Sequence, residues 1–411
     1  MALRAETVRC YRGVLIVWLC LMAVLVGFII FFDRYGEVLV VKAWEADPAN
    51  SYEVAVKYVQ EGRLEEAAEK FEMARRQAEQ PGASWPAYKV RDIGVNLGRI
   101  YYELGQHDKA LPLLQEVVAS APGLDHGTPL SYLADIHLER GEKDKAAELF
   151  KATTEWNFGP RSVIAFFRLG QIAAEKAEYE AALSYLDTAV TLDAGNQALT
   201  GQMWASIATI AREAVTETED ATSAFARELL GVSEYRMKQF DTSVEALEAA
   251  LGAGRDTARI RYFLAKVYDA IGMQEKANQH LLELPKGTVV VEPGEMVCTF
   301  GRAEDGGWVL VRNAALRHEV FLVNQIEAVE VLAKGTSADF VGANMIVRLA
   351  GEVLGEAEVS GAGFERYSFP ASVSEEHGLL EIEFANDYRD PETGEDRNLS
   401  VNKAIVKYGA G

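Results

Sequence analysis

Asn386-Asp387-Tyr388-Arg389-Asp390-Pro391-Glu392-Thr393-Gly394-Glu395-Asp396-Arg397-Asn398 lies between two segments that alternate in polarity. Before it, Leu380, Ile382 and Phe384 alternate with Glu381 and Glu383; after it, Leu399 and Val401 alternate with Ser400 and Asn402. A period of two marks strands with one buried face, so the stretch is expected to join two β-strands. Pro391 and Gly394 supply turn chemistry between them. The loop carries the carboxylates Asp387, Asp390, Glu392, Glu395 and Asp396, which repel one another unless a hard cation sits among them. Calcium takes roughly six to eight oxygen ligands in a flexible geometry, which suits such a loop. The acidic spacing is not that of an EF-hand, and strands rather than helices flank it. The same composition also suits a solvated acidic hairpin with no metal.

Phe384-Ala385-Asn386-Asp387, followed by Asp396-Arg397-Asn398-Leu399-Ser400-Val401, resembles the signature of calcium-dependent carbohydrate-binding modules of the xylan-binding type. Upstream, Gly307-Trp308-Val309-Leu310, Met345-Ile346-Val347 and Tyr367-Ser368-Phe369 fit the same pattern. The resemblance covers roughly the last 120 residues, a usual single-domain size. It implies an all-β, jelly-roll-like sandwich over residues 288–409, with calcium in the loop directly coordinating two adjacent sugar hydroxyls. By position it implies Asp387 and Asp396 as carboxylate ligands, with Asp390, Glu392 and Glu395 as further metal-site candidates. Asn386, Asp387, Asp396 and Asn398 are its carbohydrate-binding candidates, and Arg397 orders the loop. A relative that keeps the fold without sugar binding stays open.

Between about Asn50 and Leu284 the chain reads as helix pairs. Turns follow amphipathic stretches at Gly62, Gly105, Gly141, Ala177, Lys238 and Gly272, with spacings of 43, 36, 36, 61 and 34 residues. These lie near the period of about 34 of the tetratricopeptide repeat. Leu97-Gly98, Tyr101, Gly105 and Ala110 fit one copy; Leu133, Gly141, Ala146 and Phe150 fit the next; Leu169-Gly170, Ala182 and Ala189 fit the one after. Residues 50–285 therefore resemble a tetratricopeptide solenoid, all α, with an additional helix expected from Gln197 to Thr216 inside the longest spacing. Such arrays offer extended surfaces for protein partners. Pro285-Lys286-Gly287 ends the helical region, and Thr288-Val289-Val290-Val291 begins the strands.

At the other end, Gly13 to Phe32 contains no charged residue. At about 1.5 Å per residue it matches a bilayer core of about 30 Å. Arg4, Arg9 and Arg12 precede it. The expectation is a cytoplasmic segment 1–12, a transmembrane helix 13–32 in contact with membrane lipid, a linker 33–49, and an exported remainder. That would place the protein in a bacterial inner membrane with its bulk periplasmic or extracellular. Cys298 is then the single exported cysteine, expected as a small core residue.

A net charge of −21 with no basic stripe excludes a nucleic-acid role. The histidines at 107, 126, 137, 280, 318 and 377 form no metal-binding spacing. No nucleophile elbow or phosphate loop is present, so the chain is expected not to be an enzyme. The function expected is a membrane-anchored scaffold that binds proteins through its repeats and a neutral glycan through a calcium-dependent module. The alternatives are an assembly factor whose β domain is purely structural, and an accessory subunit of a polysaccharide-processing enzyme.

Overall fold

The computed structural model describes residues 50–408 except 83, 121–126, 157–158, 285–286, 299–300, 305–306, 311–312, 322–325, 339–340, 374–376 and 389–394. The chain divides into two compact units, one ending at Ser120 and the other beginning at Ala121.

Among the described residues the first unit holds two helix pairs, α1 (Ser51–Gln60) with α2 (Leu64–Ala78) and α3 (Ala87–Glu103) with α4 (His107–Ser120). Each pair turns on a glycine in the left-handed region, Gly62 and Gly105. At the first turn the Gly62 N–H donates to the Val59 carbonyl and the Arg63 N–H to Tyr58, a Schellman closure. Small residues set how closely the helices pack. A Cβ on Gly98 would lie 2.4 Å from Leu114 Cδ2, so α4 seats its leucine against bare backbone.

The second unit begins with α5 (Gly127–Glu139) and α6 (Lys143–Trp156), then α7 (Pro160–Glu175) and α8 (Tyr179–Asn196). After α9 (Gly201–Glu217) come α10 (Asp220–Arg236) with α11 (Phe240–Gly252), and α12 (Ala258–Ala270) with α13 (Gln274–Leu282). The pattern of the first unit recurs: a Cβ on Gly170 would lie 2.7 Å from Leu186, and one on Gly231 would lie 2.4 Å from Leu247. Ala177 and Lys238 adopt positive φ, 57° and 61°, where the other pairs use glycine. The additional helix starts later than its sequence suggests. Gln197 takes the left-handed cap of α8, and Thr200 caps α9 by accepting from the Met203 N–H.

Among the described residues twelve strands follow, all paired antiparallel. They are β1 (Thr288–Val291), β2 (Val297–Cys298), β3 (Gly301–Glu304), β4 (Gly307–Leu310), β5 (Ala314–Phe321) and β6 (Ile326–Gly335). Then come β7 (Ser337–Ala338), β8 (Val341–Leu349), β9 (Glu352–Val359), β10 (Glu365–Pro370), β11 (His377–Phe384) and β12 (Leu399–Tyr408). One sheet runs β10-β6-β12-β4-β3, with β1 on the far half of β12; the other runs β2-β5-β11-β8-β7, with β9 on β8. Val329, Val331, Ala404 and Val406 of the first sheet meet Leu316, Val347, Leu380, Ile382 and Phe384 of the second in a dry core. The alternation read around the loop thus resolves into the inner faces of β11 and β12. Cys298 packs half-buried against this core, and burial pushes its thiol up to about 12.

The expected membrane localisation is corrected here. Among the described residues no helix is long and apolar enough to cross a membrane. The helices run from 9 to 18 residues, and even the longest, α8, carries Glu180, Asp187 and Asp193. A span needs about 20 predominantly apolar residues. That finding goes against a single-pass inner-membrane protein with an exported bulk. The 13–32 run itself lies outside the described residues.

Candidate functional site at the sandwich edge

The site is built where β11 ends and β12 begins. After Phe384 the chain leaves the sheet with the Ala385 N–H donating to the Asn344 carbonyl, 3.1 Å. Asn386 then pins the loop to β8: its Oδ1 accepts from the Asn344 N–H (2.5 Å) and its Nδ2 donates to the Gly342 carbonyl (2.9 Å). The Asp387 N–H donates to Asn313 Oδ1 at 2.8 Å, leaving its carboxylate in an exposed position. On the return, the Arg397 N–H donates to the Tyr388 carbonyl at 3.0 Å. This bond pinches the loop so that Asp387 and Asp396 stand one residue outside and inside the same rung.

Arg397 pairs with none of the loop's described acids. Its guanidinium donates to the carbonyls of Ala338 (3.0 Å), Val341 (3.1 Å) and Asn386 (3.3 Å), and lies 4.8 Å from the Tyr388 ring centroid. It ties the loop to the β7–β8 corner. Thr336, at the end of β6, closes the other side. Its hydroxyl donates to the Asp396 carbonyl and accepts from the Asn398 N–H (2.8 Å), while its own N–H donates to the Asn398 carbonyl (3.0 Å). Asn313 and Thr336 are positioning residues that the sequence does not disclose, because each lies more than 50 residues from its partner.

The donors in this corner are hard oxygens, and one of them is orphaned. Asn398 Nδ2 reaches Asp396 Oδ2 at 3.4 Å, whereas the buried Asn398 Oδ1 has no hydrogen-bond partner. Leaving a buried acceptor unsatisfied costs about 1–3 kcal/mol, and a coordinated cation removes that cost. The donor set therefore fits calcium. Asp387, Glu395 and Asp396 are placed in this corner, while Asp390 and Glu392 lie outside the described residues. Among the described residues no three His, Cys, Asp or Glu side chains converge as a metal site.

A second charged cluster, invisible in the sequence, lies where the helices of this unit meet the outer face of β5 and β11. Arg259 of α12 donates to Glu319 of β5 (2.7 Å), to Thr191 of α8 (2.9 Å) and to Asp187. Glu319 also meets His377 Nε2 at 2.7 Å. The His377 ring stacks on Phe321 at 5.0 Å and lies 5.5 Å from Tyr262. Burial alone would raise the Glu319 carboxyl; the Arg259 charge and the His377 contact outweigh it and hold the group at about 2. This joint fixes the β-sandwich to the helices and leaves the loop edge away from it.

The comparisons agree with this division. A family model described as a calcium-dependent, xylan-binding carbohydrate-binding module matches residues 328–408. Tetratricopeptide-repeat models match residues 92–155, and 133–197 with 228–284. Among solved structures, the chain is similar to a CBM36 domain of a multidomain xylanase from the hindgut metagenome of Trinervitermes trinervoides. The two share 14% identity, with 30% of this chain and 98% of that one covered and a TM-score of 0.26. A CBM36 module in complex with calcium and xylotriose shares 14% identity over 28% of this chain and 97% of that one, TM-score 0.24. The Cut9–Hcn1 hetero-tetramer of the APC/C shares 18% identity over 62% of this chain, which spans 41% of that one, TM-score 0.32. A comparison with curated proteins found no match. The chain carries tetratricopeptide repeats and a C-terminal domain that resembles calcium-dependent carbohydrate-binding modules, both non-catalytic kinds of domain.

Proposed function

We propose that this protein is a scaffold that docks protein partners on its repeats and holds xylan, or a related neutral polysaccharide, through calcium at the 386–398 loop. The orphaned Asn398 Oδ1 beside Asp396, at the pinch made by Arg397 and Tyr388, is the observation that carries the reading. Asp387 and Asp396 would hold the ion, with Asn398 Oδ1 as a neutral ligand and Glu395, Asp390 and Glu392 as further candidates within the loop. Calcium, when bound, supplies open coordination positions for a pair of adjacent hydroxyls. Asn386, Arg397 and Thr336 keep the loop backbone in place so that little order is lost on binding. Internal xylose units each present one such hydroxyl pair, which makes xylan a chemically apt ligand. On the repeats, Tyr88 (68% exposed) and Val90 (45%) of α3 offer apolar surface to a protein partner.

Retention of the full chain on insoluble xylan, with calcium and then with a chelator, tests the glycan half. Binding in calcium that is lost on chelation is expected. No retention on xylan or any neutral glycan in calcium would leave the β domain a structural element of an assembly factor.

A further inference from the structure

Cross-strand register on the β10-β6-β12 sheet lays out its outward face residue by residue. Val329, Val331, Ala404 and Val406 point into the core, so their neighbours point outward. Arg366 stands opposite Leu332, and Leu332 opposite Lys403. One step toward the loop, Lys334 faces Ser400; at the far end, Ala328 faces Lys407. Between them Glu330 faces Ile405, which in turn faces Val290 of β1.

This is a cationic face on an acidic protein. The chain carries 62 acidic and 41 basic residues, yet register puts Lys334, Arg366, Lys403 and Lys407 on the same face as Glu330. Glu330 is already engaged by Arg366 (3.1 Å) and by Lys407. Lys334 and Lys403 make no ion pair among the described residues. The centre of the face is partly apolar, with Val290 42% exposed. The helices of this unit pack on β5 and β11 of the other sheet.

The face also begins where the loop ends, since Ser400 lies two residues after Asn398. From Ser400 to Lys407 the strand extends about 23 Å at about 3.3 Å per residue. A polysaccharide held at the loop and continuing along β12 would pass Lys334, then the Arg366–Lys403 pair, then Lys407. We propose that this face is a second glycan contact that selects carboxylate-bearing chains, such as glucuronate-substituted xylan, over neutral ones. The inference rests on the glycan-binding reading of the module but concerns different residues. Charge complementarity supplies the preference, and the exposed Val290 gives a sugar ring apolar surface to lie on.

The test uses the full chain, with neutral xylan and glucuronate-substituted xylan as probes, in calcium and in chelator, at low and high salt. Substituted xylan should be retained more tightly at low salt by about threefold to tenfold, and the excess should vanish at high salt. Arg366→Ser with Lys403→Ser should erase that excess, leaving the melting temperature and the retention of neutral xylan as in the wild type. Equal retention of the two glycans at low salt overturns the inference while the loop reading stands. So does an excess that survives the double substitution. Capture by phosphatidylserine vesicles without preference for substituted xylan overturns it in favour of a lipid surface. If neither glycan is retained under any condition, both readings fall together.

Discussion

Arg259 and Arg397 organise two charged regions of the second unit in opposite ways. Arg259 is 11% exposed and aims its donors at carboxylates, Glu319 and Asp187, across the joint between helices and sheet. Arg397 aims its donors at three backbone carbonyls, those of Ala338, Val341 and Asn386. At the joint the Arg259 donors are taken up by groups of the fold itself, so these charges hold architecture. At the loop edge the two ends of the loop are tied to the sheet, and the buried amide oxygen of Asn398, next to Asp396, has no hydrogen-bond partner. Charge in a sequence says little about its use; which group receives each donor decides it.

The largest effect expected from this contrast is at the joint. Arg259→Met would strand Glu319 and Asp187 beside each other without their cation. Breaking a buried pair in this way costs about 3–5 kcal/mol, read as a lower melting temperature of the second unit. Calcium affinity should stay as it was in the fraction that folds. Unchanged melting would mean that the joint does not hold the sandwich.

Acid should expose the same joint. Glu319 titrates at about 2 in the folded chain, below the ordinary carboxylate value of 4.5. Between these values the unfolded chain binds more protons, so stability rises with pH across that window and is lost as pH falls through it. The contribution is on the order of 3 kcal/mol above the window. Glu319→Gln should be less stable than wild type near neutral pH and flatten the acid limb of a melting-temperature profile. A parallel acid limb in the variant would remove Glu319 from the account.

The repeats give an intermediate effect. Gly170→Ala places a methyl 2.7 Å from Leu186, with Ala182 O at 3.2 Å. Overpacking of this kind costs about 1–3 kcal/mol, and a differential scanning trace checks it.

Much of this was legible beforehand. The turns at Gly62, Gly105, Gly141 and Gly272 all have positive φ, as do Ala177 and Lys238, where no glycine advertises the turn. Repeat spacing located those two, because a helix pair of fixed length must turn somewhere. The alternation at Leu380, Ile382 and Phe384 gave the buried face of β11 directly. The joint was not legible, because Arg259 and Glu319 lie 60 residues apart and Glu319 and His377 lie 58 apart. Nothing local marks those side chains as partners. The cationic face was hidden for a related reason: Lys334, Arg366, Lys403 and Lys407 sit on three strands and meet only through register. The clustered acids of the loop stand out in one dimension, whereas its supports, Asn313 and Thr336, do not.

The smallest effect on stability should come from Arg397→Ala. Its carbonyl contacts are at the edge of the sheet, so melting should move little. Groups that orient ligands typically matter about 10–100-fold in metal affinity, and that is the loss expected for calcium. A calcium affinity equal to wild type would deny Arg397 its positioning part.

The central claim is that the 386–398 loop binds calcium through Asp387 and Asp396. It is tested most directly by calorimetric titration of the full chain with calcium, beside Asp387→Ala and Asp396→Ala. The wild type should show a saturable site, and calcium at about a hundredfold excess over the dissociation constant should add about 2.7 kcal/mol of stability. Both variants should lose the site while melting as the calcium-free wild type does. A wild-type chain that takes up no calcium, or variants that bind it undiminished, would contradict the account.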